Sequence, residues 1–414
     1  MKIAIIGSGI SGLVCAYLLC EDHEITVFEA NDYVGGHTHT VDVEKAGKTY
    51  AVDTGFIVFN EKTYPNFLKL LKRLAVAWQP SKMSFSVTSE TSGLEYSPSS
   101  LNSLFAQRKN LFRPAFYRMV LDIFRFRRRS KKILGERGDD RALGDYLKAE
   151  GYSQAFIHDF IIPMGAAIWS ADPDQFWNFP ARFFVRFFDN HGFLNVTDQP
   201  QWLVIRGGSR NYVHELTRGF RDRIRLSCAV KRVTRHEDRV EVVHGGGGPE
   251  HFDHVVMATH SDQALALLAD PSEEEARILS AMPYQENVTV LHTDETLLPK
   301  KRECWASWNY HVPKAHTGRV AVTYDMSILQ SLKAPVEFCV SLNYPGGIDP
   351  ARVIDQMVYH HPVYTPQSLK AQEGHEEING VNRTSFCGAY WGFGFHEDGV
   401  KSALAVCRPF GKTL

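Results

Sequence analysis

The stretch Lys2-Ile3-Ala4-Ile5-Ile6 runs without a break into Gly7-Ser8-Gly9-Ile10-Ser11-Gly12, and Glu24-Ile25-Thr26-Val27-Phe28-Glu29 follows one helix-length segment later. Lys2 to Ile6 has the continuous apolar character of a strand buried on both faces of a parallel sheet. Leu13 to Cys20 has helical spacing, and the second β-rich run ends at Glu29. Strand, glycine turn, helix, strand and acid in this order predict a βαβ unit that binds a dinucleotide. Gly7 permits the tight turn, Gly9 lets the backbone approach a pyrophosphate, and Gly12 lets the helix pack on the strand. The helix N-terminus, with Ser8, Ile10 and Ser11 around it, offers N–H groups and a dipole to the phosphates. Glu29, followed by Ala30, is placed to accept hydrogen bonds from an adenosine ribose.

Val34-Gly35-Gly36-His37-Thr38 comes next, where a nicotinamide domain would continue with alternating strands and helices. A second glycine pair just past the ribose acid lets the chain pass close to a dinucleotide's far phosphate and flavin side. A hairpin is expected around Lys45-Ala46-Gly47, closed by Val52-Asp53-Thr54-Gly55-Phe56 with another backbone approach. At these residues the chain resembles flavoproteins of the amine oxidase, protoporphyrinogen oxidase and phytoene desaturase superfamily. The resemblance implies non-covalently held FAD.

The rest of the composition is permissive. Of 414 residues 44% are hydrophobic, enough for a substantial core, and 46 Lys and Arg against 47 Asp and Glu argue against a wholesale nucleic-acid binder. The seven cysteines are scattered without a CxxC, which excludes a disulfide framework or zinc ribbon as an expectation. No apolar run reaches the ~18–20 residues that span a bilayer. The short N-terminal apolar run enters a glycine turn, unlike a signal peptide, so a soluble cytoplasmic protein is expected.

Residues 64–151 read as largely helical, with a strand-like break at Met83 to Val87. The helical stretch to His191 is strongly aromatic, with Phe176, Trp177, Phe179, Phe183, Phe184, Phe187 and Phe188. Half of these are expected in the core, and the surplus could line an apolar tunnel. Strands return between Arg225 and His260, with the glycines Gly245 to Gly248 read as a hairpin tip rather than a phosphate loop. A strand is expected at Asn287 to His292 and another at Thr384 to Gly388, leading to a helix from about Gly399. The expected fold is α/β: a Rossmann-type, glutathione-reductase-like FAD-binding domain (1–75, 200–275 and 380–414) interleaved with an α+β substrate-binding domain (76–199 and 276–379).

Phe386-Cys387-Gly388-Ala389-Tyr390-Trp391-Gly392-Phe393-Gly394-Phe395-His396-Glu397-Asp398-Gly399 narrows the resemblance. It is similar to the signature of a subgroup that includes bacterial FAD/NAD-binding proteins and the N-terminal oxidase-like half of plant cyclopropane fatty acid synthases. Gly55 to Asn60, Ile168-Trp169-Ser170 and Trp305 to Asn309 match as well. The resemblance implies that Gly388, Ala389, Phe395 and the turn His396-Glu397-Asp398 to Val400 lie beside the isoalloxazine. It also implies that Val230 meets adenine and that Thr259 lies at the nucleotide. Two departures count against ordinary amine oxidation: no lysine occurs between Ser280 and Pro299, and Ala389 stands where most members carry an acid.

His396 is a candidate acid or base, with capping of the last helix the plainer role for Asp398. Tyr310 is a candidate proton donor or, equally, a core aromatic. His37-Thr38-His39 and His360-His361 lack carboxylate or cysteine partners at ligand spacing, so no metal is expected. Arg108 to Lys132 holds ten Lys and Arg against Asp122 alone, with apolar residues between. That pattern fits either peripheral contact with an anionic membrane or a solvated face over a core stripe. The expected function is an FAD-dependent oxidoreductase acting on an apolar or lipid substrate, such as an unsaturated or cyclopropane-modified acyl chain. The alternatives are an amine or amino acid oxidase and a flavin-bearing partner of a lipid-modifying methyltransferase.

Overall fold

The computed structural model describes residues 1–135, 141–195, 199–315, 318–344 and 346–414. Strand β1 (Lys2–Ile6) is the centre of a five-stranded parallel sheet. On one side it pairs with β2 (Glu24–Phe28), which in turn pairs with Ile224–Arg225; on the other lie His254–Met257 and then Thr384–Phe386. Ile3 to Ile6 are buried, as a strand covered on both faces must be. Helix α1 (Ile10–Leu19) follows the glycine turn and packs against the helix His396–Cys407. A side chain at Gly12 would come within 2.1 Å of the Gly7 carbonyl oxygen, so glycine there sets how closely α1 lies on the sheet.

A second sheet has seven strands, in the order Val353–Pro362, Tyr284–His292, Cys339–Leu342, Ala321–Asp325, Trp308–Val312, Phe85–Ser89 and Leu94–Tyr96. Its pairs are antiparallel except Trp308–Val312 with Phe85–Ser89. The expected hairpin forms between Thr40–Lys45 and Lys48–Asp53, with Ala46 and Gly47 both at positive φ. Gly245 to Gly248 fall between the antiparallel strands Val240–His244 and Glu250–Phe252. The last helix begins at His396, three residues before the expected start.

The helices Pro114–Arg129, Ile162–Trp169 and Ala181–Asn190 pack around the second sheet, and here an expectation fails. Phe176, Phe179, Phe184, Phe187 and Phe188 are all buried in the core, and Phe183 packs against it. Phe176 stacks on Phe179 at 4.7 Å between ring centroids, and Phe184 on Phe188 at 4.2 Å. The rings fill one another's space, so they form no tunnel.

Candidate active site

A cavity of about 790 Å³ opens between the two sheets. It lies in the upper part of the ~300–1,000 Å³ typical of small-molecule and cofactor sites. One wall comes from the glycine turn and α1, the end of β2 and the segments around Gly36, Gly55, Thr259 and Gly388. The other comes from Ile168 to Ser170, from Trp308, Tyr324 and Leu342 of the seven-stranded sheet, and from Met357 to Pro362 at its edge.

Most of the residues singled out in the sequence converge here. Gly7, Ser8, Gly9, Ile10, Ser11, Glu29, Ala30, Gly35, Gly36, His37, Thr54, Gly55, Phe56, Val230, Thr259, Gly388, Ala389, Phe395 and His396 all line the cavity. Glu29 is held at the end of β2: its Oε2 accepts from the Ser8 N–H (2.9 Å) and hydroxyl (2.6 Å), and its Oε1 from the Asn31 N–H (2.9 Å). A carboxylate accepts about four such bonds, which leaves capacity for a ribose hydroxyl. Gly9 tests the fit of a dinucleotide. Its φ of −67° suits any residue, and a Cβ there would have no atom within 4 Å. Nothing in the protein itself therefore demands glycine at position 9; the open space is what a ligand backbone would fill. Gly36 closes the same passage, a Cβ there lying 3.0 Å from the Gly9 Cα.

Six of the residues singled out in the sequence do not line the cavity, and three of them, Gly12, Asp398 and Tyr310, take a role that the sequence also offered: packing of α1, helix capping and a core aromatic. Gly12 and Thr38 do not line the cavity: Gly12 faces the Gly7 carbonyl, and the Thr38 hydroxyl hydrogen-bonds Tyr212 and His396 behind the wall. Glu397 points the other way, and its carboxylate accepts from the Asn66 and Phe67 N–H groups at the start of helix α2 (Pro65–Arg73). Asp398 accepts from the Phe393 and Phe395 N–H groups at 3.0 and 3.1 Å, so it caps its own helix, and burial pushes its carboxyl up to about 6. Val400 lies in the core behind α1. Tyr310 is a core aromatic, absent from the cavity wall, and burial pushes its phenol up. Trp308, two residues earlier on the same strand, does reach the cavity.

His396 is the first residue of the last helix, and its ring lies on Phe56. Its Nε2 is 3.0 Å from the Thr38 hydroxyl and 3.1 Å from that of Tyr212. Burial, with His37 nearby, lowers its pKa well below the usual histidine value, so the ring is neutral at pH 7.

The sequence reading missed a histidine cluster. His37 stacks on Tyr359 at 5.0 Å and lies 5.5 Å from His361 and 5.8 Å from His260, which stacks on Tyr284 at 4.4 Å. Burial lowers His37 to about 4 and both His260 and His361 to about 3. Among the described residues Glu29 is the one acidic side chain in the lining, and no lysine or arginine contributes to it. Trp308 and Tyr390 contribute to the wall through their rings, since Trp308 Nε1 and the Tyr390 hydroxyl are buried away from the cavity surface.

The sequence model for flavin containing amine oxidoreductases matches residues 10–335. The flavin-dependent L-tryptophan oxidase RebO of Lentzea aerocolonigenes is 25% identical over 284 residues, 62% of this chain; the chain spans 57% of that relative's length. The fold is similar to that of cyclohexylamine oxidase from Brevibacterium oxydans, with a TM-score of 0.65 at 17% identity over 99% of both chains. It is also similar to that of the CLA-producing fatty acid isomerase from P. acnes, with a TM-score of 0.69 at 17% identity over 99% of this chain and 98% of that one. With the family match over most of its length, the chain belongs to the flavin containing amine oxidoreductase family.

Proposed function

We propose that the enzyme acts on an uncharged apolar chain, such as an unsaturated or cyclopropane-bearing acyl chain, by hydride transfer or redox-neutral isomerisation. The observation that carries this reading is the cavity wall opposite the nucleotide elements, where Ile168, Trp169, Trp308, Tyr324 and Leu342 gather without a lysine, arginine or aspartate among the described residues. An amino acid substrate presents a carboxylate that such a wall leaves without a cation, and desolvating an unmatched charge costs several kcal/mol. The fold shared with a fatty acid isomerase is compatible with the reading.

FAD held along the glycine turn supplies a two-electron acceptor for hydride. The chain's own residues do the rest. Glu29 orients the ribose, and the aromatic wall excludes water. The N-terminus of the helix His396–Cys407 meets the cavity through Phe395 and His396, and its dipole favours negative charge there.

Amine or amino acid oxidation is favoured instead by the tryptophan oxidase relative. An anaerobic screen of flavin bleaching, with fatty acid products analysed for double-bond position, separates the readings. Bleaching or double-bond movement with unsaturated acyl phospholipids, but none with amines or L-tryptophan, is expected. Bleaching by L-tryptophan or a simple amine overturns the acyl reading. A response to neither points to FAD as a structural group in a partner of a lipid-modifying enzyme.

A further inference from the structure

We propose that the surface built by Leu111 to Phe124 docks the enzyme peripherally on an anionic lipid bilayer. The inference stands apart from the substrate reading, because a soluble apolar substrate would leave it intact.

The helix Pro114–Arg129 has two apolar faces. Phe116, Met119, Ile123 and Phe126 point into the core. Tyr117, Leu121 and Phe124 recur at helical spacing on the other side and face solvent, with Leu111 and Phe112 just before the helix. Phe112 is 87% exposed, Leu121 64% and Phe124 52%. Six of the eleven large hydrophobic residues exposed among the described residues fall between Leu101 and Phe124. Single exposed apolar residues are ordinary, but a concentrated set marks an interaction surface.

Charge selects the occupant. Every exposed charged side chain between Leu101 and Lys132 is a lysine or arginine, while the lone acid Asp122 is buried against Arg118 and Arg125. Lys109, Arg128, Arg129 and Lys132 carry no ion pair among the described residues, whereas Lys131 is spent on Asp189 at 2.7 Å. A projecting apolar stripe rimmed by cations of one sign matches an anionic headgroup layer, with the rings entering the acyl boundary. No helix among the described residues is long and apolar enough to cross a membrane, so contact from one side is the geometry available to this surface.

The test is co-sedimentation of the FAD-loaded enzyme with phosphatidylcholine vesicles, with and without phosphatidylglycerol. Binding to the phosphatidylglycerol vesicles that weakens with added salt is expected. Arg128→Gln with Arg129→Gln is expected to weaken it roughly thirtyfold, at about fivefold per charge. The triple variant Phe112→Ser, Leu121→Ser, Phe124→Ser is expected to lose binding while keeping wild-type flavin absorbance, since the three side chains support no core. Failure of the wild type to bind phosphatidylglycerol vesicles overturns the proposal. So does equal binding by the triple variant. Sedimentation equilibrium showing a wild-type dimer that the triple variant abolishes, without vesicle binding, assigns the surface to a second copy of the chain instead.

Discussion

The imidazole of His396 lies flat on the ring of Phe56, with centroids 3.5 Å apart and planes within 12°. Both rings line the cavity, and they come from segments 340 residues apart in the chain. Beneath them Phe67 stands edge-on to both rings, at 5.4 Å from Phe56 and 5.8 Å from His396. The stack joins the glycine-rich wall at Gly55 to the start of the last helix, so His396 serves the wall's shape as much as its chemistry.

His396→Leu tests that role. The substitution leaves the Thr38 and Tyr212 hydroxyls without their imidazole partner and removes the stack. A buried hydrogen-bonding group left unsatisfied costs about 1–3 kcal/mol, and an aromatic pair contributes about 0.5–1.5 kcal/mol. Chemical denaturation of the variant should show a loss in that range. Because burial holds the ring neutral, turnover in the wild type should show no inflection from His396 near pH 6.5. An inflection there that His396→Asn removes would restore the ring as an acid or base.

Glu397 presents the opposite case, a residue expected at the cofactor that proves to brace another helix. Its carboxylate accepts from Asn66 and Phe67 at the first turn of α2, where N–H groups have no partner within their own helix. Glu397→Ala should destabilise the protein by about 1–3 kcal/mol in denaturant titrations. FAD bound per folded molecule should stay at the wild-type value. Loss of FAD without loss of stability would return Glu397 to the cofactor.

Acid should destabilise the enzyme well above the usual carboxylate range. Burial lowers His37, His191, His254 and His292 to about 4, and His260 and His361 to about 3. Below the ordinary histidine value of 6.5 the unfolded chain takes up protons that these folded rings refuse, so stability falls as pH drops from 6.5 toward 4. Asp53 and Asp398, raised to about 6, and Asp325, raised to about 7, act in the opposite sense, because the folded state keeps their protons above the unfolded value of 3.8. The histidines outnumber them. The melting temperature of the FAD-loaded enzyme at about pH 5 should therefore lie below that at pH 7. An equal or higher value at the lower pH would show that the carboxyls prevail.

Much of this organisation was legible in the sequence for physical reasons. A strand buried on both faces must be apolar throughout, so Lys2 to Ile6 declared the parallel sheet, and the glycine turn followed from its spacing. The histidine cluster was not legible. Its members come from positions 37, 260 and 361, and only the closure of the two sheets brings them together. The phenylalanines of 176–188 could not be sorted between core and tunnel, since the same helical period serves both. Tyr310 shows the limit along a strand: two residues of β rise, about 7 Å, carry it from the Trp308 position past the end of the cavity. Glu397 and Asn66 are 331 residues apart, and no local pattern announces a helix capped from that distance.

Gly9 offers the sharpest separation of cofactor binding from folding. At Gly12 a methyl group meets the Gly7 carbonyl at 2.1 Å, so Gly12→Ala should cost the fold itself. At Gly9 the backbone already has φ −67° and ψ 174°, which alanine adopts freely, and the methyl group meets no protein atom within 4 Å. On the proposed reading it projects where the pyrophosphate would pass closest to the backbone. Gly9→Ala should therefore fold as well as the wild type, or gain about 0.4–1 kcal/mol from a stiffer unfolded chain. The same variant should lose most of its flavin absorbance on gel filtration and take it up again only at raised FAD concentration. Retention of FAD at wild-type stoichiometry through that column would mean that the dinucleotide does not run over Gly9, and the assignment of this wall to the pyrophosphate would fall with it.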